Sequence, residues 1–117
     1  MIFRLHLIIL AALFTTGCGG SDEPLVVLYK PAGSLQCNPT QTTQMRLDAE
    51  VSTLRQAGIS VTASGCANDG QPRIALCGAD NGDLFSATVT TAAEASALRL
   101  GFKLPGLYPH ARPMACQ

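Results

Sequence analysis

The chain of 117 residues has no tryptophan, two tyrosines and four phenylalanines. That leaves few flat surfaces on which bases or sugar rings stack. Charge is also scarce, with eight Lys/Arg balanced by eight Asp/Glu. Nucleic-acid binding needs clustered cations, and the absence of a basic run argues against such a partner. It argues equally against charge-driven adhesion to anionic lipid. No apolar run reaches the roughly 20 residues of a membrane-spanning helix. The closest cysteines, Cys66 and Cys77, lie eleven positions apart. That spacing lacks the close pairs of a zinc site and of a thioredoxin-type redox motif. No cofactor is implied.

What is present begins at the N-terminus. Arg4 precedes an unbroken apolar run, Leu7 to Phe14, which ends in Thr15-Thr16-Gly17-Cys18-Gly19-Gly20. A basic start, a short apolar stretch and small residues at a cut site make a secretory signal peptide. Thr15-Thr16-Gly17-Cys18 resembles the lipobox of bacterial lipoproteins, with Thr15 where leucine is usual. The resemblance covers about the first 20 residues. It implies cleavage after residue 17 and acylation of Cys18. Two or more acyl chains anchor stably where one is marginal. Gly19 follows the cysteine where aspartate would retain an inner-membrane lipoprotein. The resemblance therefore implies the outer membrane, with the domain facing the periplasm. Residues 18–24 form a short polar linker that reaches about 20 Å at roughly 3.3–3.6 Å per residue.

Residues 25–117 are enough for one small domain, and a domain of this size benefits from covalent staples. Cys37, Cys66, Cys77 and Cys116 are an even set in an exported chain and read as two disulfides. Strand signals lie at Leu25–Tyr29, Ile59–Ser64, Arg73–Cys77 and Leu84–Val89. Asn38-Pro39-Thr40-Gln41 has the form of a helix start, with Leu47, Val51 and Leu54 as its apolar stripe and Gly58 at its end. Thr91 to Glu94 has the form of a capping box for a second helix ending near Gly101, with Ala95, Leu98 and Phe102 on its inner face. Asn81-Gly82 is a hairpin signal. Residues 104–117 hold three prolines and read as an irregular strap.

The expected fold class is therefore α+β: a two-layer β-α-β-β-α domain with a four-stranded mixed sheet and both helices on one face. Its first two strands would run parallel through a right-handed crossover. That topology favours the bridges Cys37–Cys66 and Cys77–Cys116, with Cys66–Cys77 as a local alternative. The helix-free face would be polar and wet. It would carry Thr62, Arg73 and Thr88 as a candidate binding face, unless the strap covers it.

Catalytic constellations are missing. His110 is the one histidine after the leader and has no recognisable partner. Asp80, Asn81 and Asp83 lack the EF-hand spacing. Asp48 and Glu50, two apart on a helix, point to different faces. The expectation is a non-enzymatic envelope lipoprotein, tied to the membrane by its lipid anchor, that binds an envelope protein or serves a structural role. The alternative is a peptidoglycan binder, because β-α-β-β-α with a Ser/Thr-lined sheet resembles the SPOR arrangement. An enzyme ranks third.

Overall fold

The computed structural model describes residues 23–38 and 42–117. Cys18 and the leader therefore lie outside the described residues. Eight segments follow in order: β1 (Leu25–Pro31), α1 (Thr43–Gln56), β2 (Ala63–Asn68), β3 (Asp83–Thr90), a 3-10 turn (Thr91–Ala93), α2 (Glu94–Arg99), a second 3-10 turn (Pro105–Leu107) and β4 (Arg112–Met114). The sheet has the order β1-β3-β2-β4, and every neighbouring pair is antiparallel. No helix among the described residues is long and apolar enough to cross a membrane.

The domain is α+β, as expected, but its sheet is antiparallel where a mixed one was expected. β1 and β2 do run parallel, yet β3 lies between them and pairs with both, forming a split β-α-β unit. The expected strand Arg73–Cys77 is an exposed loop instead. Ile74 and Leu76 are 77% and 56% exposed, so its apolar residues face solvent. The fourth strand comes from the strap, where Arg112–Met114 pairs with Cys66–Asn68.

The second strand is displaced toward the C-terminus for a local reason. Gly58, at φ 82°, ends α1. Its N–H donates to Arg55 O and that of Ile59 donates to Leu54 O, each at 3.0 Å. This is a complete Schellman motif with Leu54 and Ile59 in apolar contact. Ile59 is spent on closing the helix, so the ladder starts only at Ala63. Gly101 ends α2 by the same two bonds, to Leu98 O and Ala97 O. The helix starts are less regular. Thr42, not Asn38, caps α1 by accepting the Met45 N–H at 3.2 Å, and residues 39–41 lie outside the described residues. The capping box at Thr91 does not form. Thr91–Ala93 is a 3-10 turn without a side-chain cap, leading into the six residues of α2. The changed pitch turns Ala97 inward and leaves the expected Ala95 exposed.

Both helices cover one face. Leu28 of β1, Ala87 and Val89 of β3, Leu54 of α1, Ala97 of α2 and Phe102 form one buried cluster. Leu47 and Val51 of α1 form another with Cys66, Phe85 and Ala32. The other face is not the wet surface expected. The strap leaves the β1 edge, where Lys103 pairs with Tyr29, and reaches β4 beyond β2 at the opposite edge. On the way the Tyr108 ring meets Tyr29, with centroids 5.8 Å apart at 71°. Tyr29 points away from the helices, since Leu28 points toward them. Leu84 and Ala67, partners in register on that same far face, are 3% and 2% exposed. Leu25 and Val27 remain open there, at 54% and 39%, as do Pro31 and Ala63.

The four cysteines form two disulfides, but not in the expected pairing. The bridges are Cys37–Cys77 and Cys66–Cys116. The strap explains the second: Cys66 lies opposite Met114, two residues before Cys116. The first follows from the long β2–β3 connection, which folds back across the end of β1.

Candidate functional site

That fold-back builds a groove. After β1 the chain turns at Ala32, whose N–H donates to Asp83 O at 2.9 Å. Leu35 then forms an antiparallel bridge with Asp80. The Gln36 N–H donates to Ala79 O at 2.8 Å, and the Gly78 N–H donates to Gln36 O at 2.9 Å. The Gln36 side chain continues the stitching by accepting the Leu76 N–H and donating to Ile74 O. Cys37–Cys77 closes this double-stranded flap covalently.

Between the flap and the first turn of α1 lies an open groove of about 1000 Å³. Its walls include Ser34, Leu35 and Gln36 on the flap, Met45 and Arg46 on α1, and Asn81 and Asp83 at the start of β3. Gln117 borders it at the helix N-terminus. Its N–H donates to Thr43 Oγ1 at 2.7 Å, and its carbonyl accepts the Gln44 N–H at 3.3 Å.

Arg46 is the notable side chain. It is half-buried, with its guanidinium 5.6 Å from the Phe85 ring centroid, a cation–π contact. One end donates to Ser34 Oγ at 3.0 Å and the other to the Ala32 carbonyl. No carboxylate lies within salt-bridge distance of it among the described residues. Lys30, the other half-buried cation among the described residues, does have one, and so does the exposed Arg73. Lys30 holds Glu50 at 2.8 Å, and Arg73 holds Asp69 at 2.7 Å. Asp83, across the groove, accepts amide N–H bonds from Asn68 and Asn81 instead.

The residues singled out from the sequence do not form one site. Thr62 and Thr88 do meet, as the Thr62 N–H and hydroxyl both donate to Thr88 O. Arg73 is elsewhere, in the loop at the other end of β2. Its two guanidinium nitrogens grip both oxygens of Asp69 at 2.7 Å. Arg73 holds the Asp69 carboxyl below its ordinary range, and the same bond raises the guanidinium's own value. The proposed binding face is thus divided, and the strap crosses its middle.

His110 is exposed, and its backbone carbonyl packs over Gly70. Asp48 accepts from Gln44, one turn away on α1. Asp80 accepts the Gly82 N–H, and Asn81 and Asp83 bond each other. Among the described residues no cluster of His, Cys, Asp or Glu is arranged to hold a metal ion.

Arg46 was not legible beforehand. It is an ordinary arginine beside an apolar stripe, and only the fold-back places it at a groove. No family model, curated protein or solved structure matches the chain.

Proposed function

We propose that this is a lipid-anchored envelope protein whose disulfide-stapled domain binds a ligand on the periplasmic side and carries no catalysis. Thr16-Gly17-Cys18 after the apolar run supports the anchor at Cys18. The observation that carries the binding reading is the groove beside Arg46, a half-buried cation with no carboxylate of its own among the described residues. Residues 18–24 hold the domain within about 20 Å of the outer membrane, which raises the effective concentration of neighbouring envelope partners.

Cell fractionation with Cys18→Ser tests the anchor. Loss of fatty-acid label and of membrane association is expected, and unchanged label would overturn it. Co-purification from envelope extracts tests the binding role, with recovered partners lost when the groove is altered at Ser34 or Arg46. A glycan-binding role of SPOR type takes second place. The split β-α-β unit favours it, but the strap occupies much of the sheet face it would use. Retention of the protein on isolated peptidoglycan would promote it.

A further inference from the structure

Arg46 fixes its guanidinium with two neutral acceptors, the Ala32 carbonyl and Ser34 Oγ. A guanidinium has five N–H donors, so donors remain for a third partner. Confining a cation away from water is costly unless an anion or a full set of acceptors compensates. Lys30, also half-buried, is compensated by Glu50, and the exposed Arg73 pairs with Asp69. Arg55, Arg99, Lys103 and Arg112 are exposed to water. Arg46 alone among the described cations is both half-buried and without a carboxylate, and it lines the groove.

The ligand's chemistry follows from the walls. A planar guanidinium held at one edge suits a carboxylate, which it binds through parallel N–H···O bonds. Phosphate suits the site less, because it carries close to two negative charges. Here one cation faces the Asp83 carboxylate across the groove. The volume of about 1000 Å³ far exceeds a lone ion and falls in the range of small-molecule sites. Leu35 and Met45, 41% and 64% exposed, supply apolar contact. Asn81 and Gln36 supply amides beside them. The mixture suits a short peptide.

The geometry points to a peptide-carboxylate site: the groove binds a short peptide whose free carboxylate is held by Arg46. This deepens the binding reading above and rests on it. The test titrates the full-length protein with Ala-Ala-Ala as the free acid, with the same tripeptide amidated at its C-terminus, and with inorganic phosphate. The backbone amides of Ser34, Gln36, Arg46 and Asn81 are followed by NMR.

The free acid is expected to shift these amides at least about tenfold more tightly than the amidated peptide, the usual worth of one charge-assisted pair. Arg46→Lys, which keeps the charge and loses the fork, should weaken the free acid by about tenfold. Equal binding of acid and amide would overturn the proposal. So would phosphate binding as tight as the acid's, or no shift with any of the three. Should Arg46→Lys fail to fold, the acid–amide comparison on the wild-type chain decides alone. Envelope partners still recovered by a protein that ignores all three probes would sink the carboxylate site and leave the binding reading standing.

Discussion

The Tyr108 ring stands edge-on to the Tyr29 ring, and this contact holds the strap against the sheet. It also sets the environment of the phenol. Burial raises the ionisation of Tyr108 above its ordinary value of 10.0, and the nearby carboxylates of Asp69 and Asp80 add to the effect. As pH rises, the unfolded chain therefore loses this proton first. The stability it contributes is complete below about pH 10 and fades above it. Absorbance titration should show a tyrosine ionising above the ordinary value that is lost in Tyr108→Phe, and the same variant should flatten the alkaline loss of stability. Tyr108→Ala also removes the ring from over the sheet, at a cost of about 2 kcal/mol for a half-buried aromatic. An unchanged denaturant midpoint for Tyr108→Ala would show that the strap needs no such anchor.

Asp69 titrates at the opposite end of the pH scale. Its carboxyl is held below 3.8, chiefly by the Arg73 guanidinium, which outweighs the opposing effect of burial, with the Gln71 N–H adding less. As pH falls, the unfolded chain takes up this proton first. The contribution is complete above about pH 4 and is lost progressively below it. Asp69→Asn should therefore reduce the acid slope of stability between about pH 4 and pH 2 and leave the alkaline limb alone. Denaturant titrations at a series of pH values check this, and an unaltered acid slope would exclude the pair as its source.

Gly82 lies beneath that ion pair. Its φ is 79°, and a Cβ there would fall 2.7 Å from Asp69 Oδ1 and collide with the Arg73 guanidinium. Gly82→Ala should cost about 2 kcal/mol or more, combining left-handed backbone strain with displacement of the pair. Gly58→Ala is the control. Its φ of 82° carries the same strain, but a Cβ there meets nothing within 4 Å. It should cost about 1–2 kcal/mol from the backbone alone. Equal costs at the two positions would mean that the Asp69–Arg73 pair moves aside freely.

The contrast between these regions shows what the sequence made legible. Leu47, Val51 and Leu54 bury as their spacing requires, because a helix stripe depends on residues near one another. Gly58 and Gly101 close their helices for the same local reason. Ile74 and Leu76 misled, since a strand-like pattern carries no information about whether a partner strand is available. Here β3 pairs with β1 and β2, while the strap supplies β4, so Arg73–Cys77 has no edge to join. The disulfide pairing failed with it: β1 and β2 run parallel as the Cys37–Cys66 bridge assumed, but Cys77, freed from that strand, folds back to Cys37 and leaves Cys66 to Cys116. The strap was recognised as irregular, but three prolines do not reveal that Arg112–Met114 will form an edge strand. Pro113 is tolerated at such an edge, where its missing N–H is not needed. The groove was beyond reach altogether, since Ser34, Arg46 and Asp83 converge only through contacts distant in sequence.

The two disulfides should respond differently to reductant, because they are placed differently. Cys37 and Cys77 are both exposed and join two surface segments, while Cys66 is 6% exposed beneath α1 and Cys116 is half-buried. Thiolate attack requires access to a sulfur, so the surface bridge should open first under mild reduction. Their loops span 40 and 50 residues, for which chain entropy assigns each about 4 kcal/mol of stabilisation. Structural context separates them further. Losing Cys37–Cys77 frees the flap of Leu35–Gln36 and Gly78–Asp80, whose side chains contribute little to either buried cluster. Losing Cys66–Cys116 removes a covalent tie that lies within the second cluster. Cys37→Ala with Cys77→Ala should therefore leave a folded sheet with rapid amide exchange confined to residues 33–38 and 69–82. Cys66→Ala with Cys116→Ala should destabilise the whole domain and loosen β4. Stepwise alkylation with peptide mapping, followed by hydrogen exchange on each double variant, reads both effects. Simultaneous reduction of the two bridges, or exchange spreading through β1 and β3 when only Cys37–Cys77 is missing, would show that the flap is part of the cooperative core.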